Sequence, residues 1–217
     1  TYASNGEATQ NMLNNNFPDS GIEIMITESN ITGGEFPTIA GQEDRNVPNL
    51  YKALYFFEET MNLIALKDVT YNFTWNVHSP WDYQLNGAGG VIIDNLLSND
   101  YNNVLLPQGK VVKLINSYLK DQLIAMVRVN DSLRSYASIS NDNKEFSLFL
   151  LNKGGVEKKA IVSFSNLSLT NAMVQRVNFT GSGPYTQSPW LTSPWSIQLS
   201  QLQSLVLPPY SVSVINI

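Results

Sequence analysis

The spacing of apolar residues along this chain changes its period near residue 120. Before that point, helix-like and strand-like stretches alternate. Residues 5–16 read as a short helix, stopped by the breaker run from Phe17 to Gly21 that contains Pro18. Ile22 to Thr27 is a β-branched, nearly continuous apolar run, which predicts a parallel strand covered on both faces and ending at Glu28. A loop containing glycine and proline occupies 29–46. Leu50, Leu54, Phe57, Met61 and Ile64 then recur at helical spacing, predicting a helix of about five turns from Val47 to near Leu66. Val69 to Trp75 is a second strand pattern, and a polar, aromatic loop runs from Asn76 to Gly90. A further helix is expected over 107–119, with Pro107 in its first turn, where the missing N–H costs nothing. Strand, helix, strand at these lengths is a βαβ unit, with its two strands parallel and adjacent.

From Gln122 onward the runs shorten: 123–129, 134–140, 145–152, 159–165, 173–179, 193–199 and 211–217. They are separated by Asn-Asp, Gly-Gly, Gly-Ser-Gly and Pro-Pro turns, the spacing of an antiparallel β-sandwich. The expected fold class is thus α/β plus all-β, with a barrel-like portion over 1–120 and a sandwich domain over 121–217. Two and a fraction βα units cannot close a barrel of eight. The remaining strands are expected from an N-terminal portion of the same precursor or from a partner chain completing the barrel.

Composition narrows the chemistry. The chain has no cysteine and a single His78, which removes thiolate sites and histidine metal clusters, so neither metal nor cofactor is expected. A net charge of −5 argues against nucleic acid, which needs clustered Lys and Arg. No apolar run reaches the roughly 18 residues of a membrane span, and Thr1 to Gly6 has no signal-peptide pattern, so an export signal would lie upstream. Sequons start at Asn30, Asn72, Asn130, Asn166 and Asn178. Asn72 falls inside a strand pattern. Asn130, Asn166 and Asn178 are the glycosylation candidates, the last two read as turn or edge positions, and they lean the expectation toward a secreted or extracellular glycoprotein.

Parallel strands present side chains to ligands at their C-terminal ends. Glu28 and Trp75 occupy such ends on neighbouring strands. A carboxylate beside an indole suits a pyranose: the oxygen meets the anomeric carbon while the flat ring covers the C–H face. His78, Trp81, Asp82 and Tyr83 follow in the loop after Trp75, where His78 and Trp81 are candidate substrate-binding groups.

The stretch Ile24 to Asn30 (IMITESN) resembles the seventh-strand nucleophile motif of the retaining, TIM-barrel glycoside hydrolases, in particular the β-xylosidase-like and α-L-arabinofuranosidase-like families. Trp75 resembles the Trp ending strand eight, Gly87 to Ile92 the glycine-rich loop after it, and Pro107 to Leu119 the eighth helix. Ala137 and Ser138, Leu148 to Lys153, and Leu207 to Ile215 resemble strands of the appended sandwich. The resemblance implies a retaining double displacement on a polysaccharide or glycoconjugate, with Glu28 as nucleophile and Trp75 beside the sugar; Asn30 reads either as a hydrogen-bonding group near Glu28 or as a glycosylated sequon, and a glycan there would block the opening. The resemblance also implies an acid/base carboxyl from an Asn-Glu pair after strand four, which would lie upstream of Thr1; Glu35, Glu43 and Asp44 match no such motif. This polypeptide alone is expected to be inactive. Ser29 departs from the more frequent aromatic at its position, which leaves the exact family open.

A different class of reading is a catalytically inactive structural or carbohydrate-binding extracellular glycoprotein with a glycosidase-derived fold, since a fold does not fix a function. Trp190 and Trp195, each preceded by proline, read either as an exposed glycan-binding patch or, as such Ser-Pro-Trp repeats more often are, as packed turns.

Overall fold

The computed structural model describes residues 2–18, 21–29, 48–66, 69–74, 105–124, 133–163 and 173–217. Helix α1 (Tyr2–Asn16) leads to strand β1 (Ile24–Ser29), helix α2 (Leu50–Ile64), strand β2 (Val69–Thr74) and helix α3 (Pro107–Tyr118). β1 and β2 pair in parallel, Ile24 opposite Val69 and Ser29 opposite Thr74, as a βαβ unit requires. α2 starts where Asn49 caps it: the Asn49 side-chain oxygen accepts from the Lys52 N–H at 3.0 Å. α3 opens with Pro107 at its first position, as expected.

The second part is a seven-stranded antiparallel sheet. Its path runs β3 (Gln122–Ile124), β4 (Arg134–Ile139), β5 (Phe146–Asn152), β11 (Ser211–Asn216), β7 (Met173–Thr180) and β8 (Trp190–Leu191), with β9 (Trp195–Gln198) also pairing with β7. A short antiparallel pair, β6 (Lys158–Ala160) with β10 (Leu205–Leu207), and a 3-10 helix (Leu199–Ser204) lie against its other face. The sandwich is uneven: one wide sheet, one narrow.

Two cores flank the wide sheet. On one face, Phe149 and Leu151 of β5, Val177 and Phe179 of β7, and Val212 and Val214 of β11 meet Leu50, Leu54, Phe57 and Met61 of α2 and Val111 and Leu114 of α3. On the other, Phe146, Leu148, Leu150, Val174 and Ile215 meet Leu202, Leu205 and Leu207. Every residue of β5 is buried, because this strand is covered on both faces. Burial of each of its Phe and Leu side chains contributes about 1.5 to 3 kcal/mol. The helices of the first part and the sheet of the second therefore share one continuous core.

Several expectations need correction. Ile64, read as an apolar contact of α2, is exposed, and Leu63 is buried instead, because the helix is clasped over more than one narrow stripe. β1 is not covered on both faces: Ile24 is buried, but Met25 is 54% exposed and Ile22 is also exposed, since no described element packs over them. β1 also continues through Ser29, so Glu28 lies inside the strand. The run expected over 193–199 is divided into β9 and the start of the 3-10 helix, and β8 and β10 are additional elements of two and three residues.

Candidate functional site

Strand direction decides where the candidate nucleophile stands. β1 and β2 run the same way, and their last paired residues are Ser29 and Thr74, so the two C-terminal ends share one rim. The backbone of Glu28 sits one residue before that final pair. Trp75, Asn30, His78 and Trp81, together with Asp82 and Tyr83, lie outside the described residues, as do Asn130 and Asn166.

The sheet holds the helices that follow these strands. Glu58 of α2 accepts from Arg134 Nε at 2.9 Å and pairs with Lys153 Nζ, which also lies 3.9 Å from the Tyr55 ring centre. Tyr136 Oη donates to Asn62 Oδ1 at 2.8 Å. The first turn of α2 is finished by the other part of the chain: the N–H groups of Leu50 and Tyr51 donate to the carbonyls of Thr186 and Pro184, both at 2.8 Å. On α3, Lys110 Nζ donates to the Pro189 carbonyl at 2.6 Å, and burial pushes the pKa of this ammonium down. Beside it in α3, Gln108 is fully buried with neither side-chain amide atom hydrogen-bonded, a position that costs about 1 to 3 kcal/mol per unpaired group. Among the described residues no cluster of three metal-ligating side chains occurs, and no helix is long and apolar enough to cross a membrane.

One glycosylation candidate is corrected. Asn178 is in neither a turn nor an edge; it lies in β7 with β11 on one side and the β8 segment on the other, and is 7% exposed. Its Oδ1 accepts from Ser213 Oγ at 2.7 Å and Arg176 Nε at 3.2 Å, so the side chain is tied into the sheet. The Ser-Pro-Trp repeats are not packed turns: Trp190 is 45% and Trp195 37% exposed. Arg176 stands over the Trp195 ring with its Cζ 5.3 Å from the ring centre, and burial lowers its pKa. Sequence reading missed Arg176; the signal was the two-residue alternation of Val174, Arg176, Asn178 and Thr180, which puts all four on one face of β7.

No family model matches the chain, and no curated protein matches its sequence. Solved structures do match its fold. A family 51 α-L-arabinofuranosidase from Thermotoga petrophila RKU-1 superposes with a TM-score of 0.69 at 14% identity, over 99% of this chain and 49% of that one. The arabinose complex of the α-L-arabinofuranosidase from Thermotoga maritima gives 0.72 at 14% identity, over 99% of this chain and 47% of that one. A family 30 endoxylanase from Clostridium papyrosolvens C71 gives 0.54 at 13% identity, over 89% and 41%. This chain spans about half the length of the first two and less of the third. Its fold is accordingly glycoside-hydrolase-like: part of a (β/α)8 barrel joined to an antiparallel β-sandwich.

Proposed function

We propose that this chain carries the nucleophile-bearing part of a retaining glycoside hydrolase, with residues 1–120 contributing barrel elements and 121–217 the sandwich. The observation that carries the reading is the backbone of Glu28 as the next-to-last residue of a parallel strand, beside the rim where β2 also ends. In this mechanism a Glu28 oxygen bonds to the anomeric carbon as the glycosidic C–O bond breaks. The departing oxygen keeps the electron pair and takes a proton from a second carboxyl about 5 to 5.5 Å away. That carboxyl, now a base, removes a proton from water, whose oxygen displaces Glu28 with retention of configuration. The second carboxyl and the remaining strands come from upstream polypeptide or a partner chain. The open flank of β1, with Met25 and Ile22 exposed, supports this division. Trp75 would cover the sugar's C–H face, with Asn30, His78 and Trp81 lining the same cleft. We further propose secretion, with Asn130 and Asn166 as the remaining glycan acceptors.

The test is Glu28→Gln in the complete assembly, assayed on aryl α-L-arabinofuranosides and aryl β-D-xylosides, the sugar types suggested by the structurally similar enzymes. Hydrolysis should fall by orders of magnitude while the circular dichroism spectrum and melting profile stay unchanged. Undiminished turnover would remove Glu28 from the mechanism.

A further inference from the structure

The last 58 residues, 160–217, contain one charged side chain, Arg176. Charged residues make up about a quarter of an average domain, so a solitary cation in a segment this long calls for a reason. The structure places it on a built surface. Arg176 pairs in register with Trp195, and Thr180, four residues further along β7, pairs with Trp190. Directly opposed residues of an antiparallel pair share a face, so both indoles rise from the same side of the sheet, about 13 Å apart along the strand. That face continues the one covered by Leu205 and Leu207, but both Trp residues remain open to solvent.

The guanidinium is fixed before any ligand arrives. Nε donates to Asn178 Oδ1, while Nη2 donates to the Val206 carbonyl and to Ser213 Oγ at 3.2 Å. Those bonds use three of its five N–H groups. Among the described residues the two on Nη1 have no acceptor, and no carboxylate neutralises the charge. A structural donor could have been a neutral amide; the retained cation suits an anion. Two exposed indoles flanking neutral hydrogen-bonding groups suit flat sugar rings, through C–H contact with the indole faces.

We propose that the face of β7, β8 and β9 binds an acidic oligosaccharide, with Trp190 and Trp195 as platforms and Arg176 holding the carboxylate of a uronic acid unit. The span between the indoles fits a short stretch of chain better than a single ring. The site is independent of Glu28 and of hydrolysis. It would keep the protein on a uronate-bearing polymer whether or not the barrel cleaves it.

Affinity electrophoresis of the complete protein in gels containing glucuronoxylan, hyaluronan or polygalacturonate, each beside its carboxyl-reduced counterpart, tests the proposal. At least one acidic polymer should retard the protein, and its reduced counterpart should retard it far less. Trp195→Ala and Trp190→Ala should each weaken that binding about tenfold or more, with melting temperature and aryl glycoside turnover unchanged. Arg176→Gln should abolish the difference between acidic and reduced polymer, and Arg176→Lys should restore part of it, a pattern that loss of folding would not give. Glu28→Gln should bind normally, which separates this site from the catalytic reading. Retardation by none of the acidic polymers, equal retardation by the reduced ones, retardation only by a sulfated neutral polymer, or binding untouched in both Trp variants would overturn the proposal. Self-association lost in the Trp variants without polymer binding would also overturn it, marking the face as an interface between copies.

Discussion

The wide antiparallel sheet and the parallel β1–β2 pair differ in how fully this chain covers them. β5 is buried at every residue, with α2 and α3 on one side and the β6–β10 layer on the other. β1 has an exposed Met25 one residue from a buried Ile24. Apolar residues in extended backbone thus end in a closed core in one place and on an open flank in the other. What separates them is whether the covering elements are present in the described chain. The helices belong by connectivity to the parallel part and by packing to the sheet, so the closed region reaches across the change of period at residue 120.

The strongest challenge to this contrast is Phe149→Ala. Phe149 is fully buried and its ring centre lies 5.9 Å from that of Phe57 across the joint. Truncation should cost about 3 to 5 kcal/mol in urea unfolding. A loss below about 1 kcal/mol would mean that helix and sheet do not share a core. Next in size is Glu58→Ala, which leaves Arg134 and Lys153 without their shared carboxylate at a half-buried position. A loss of about 1 to 2 kcal/mol is expected, between the values for surface and buried pairs, with Glu58→Gln intermediate. The smallest effect should come from the open side. Met25→Ser should change the stability of the isolated chain by no more than about 0.5 kcal/mol. Joined to the strands proposed to complete the barrel, the same substitution should cost about 2 kcal/mol or more. Equal effects in both settings would mean that nothing packs on that flank.

Legibility in the sequence depended on the length and boundaries of each run rather than on how well it is covered. β5 and β11 were readable because long apolar runs were bounded by clear turns, and α3 because Pro107 marks its start. β8 and β10 were not, since two or three residues cannot display a period. Ile64 and Leu63 exchanged roles because two adjacent apolar residues at a helix end give no phase of their own. Asn178 was misplaced because a sequon specifies no depth, and only the pairing of β7 on both sides buries it. For the candidate site, the direction of the two strands and their shared rim were legible from the βαβ pattern, although β1 runs one residue past Glu28. Arg176 was hidden because its importance lies in its register with Trp195, a partner on another strand.

The short turn around Pro184 and Thr186 carries a practical consequence for anyone dissecting this polypeptide. Its two carbonyls terminate the backbone ladder of a helix more than 130 positions earlier in the chain, so a cut at residue 120 would strip the leading fragment of acceptors it does not itself encode. A minimal soluble version of either piece would have to be engineered with a replacement cap, and heat should melt the uncut polypeptide's helices and sheet together in one step.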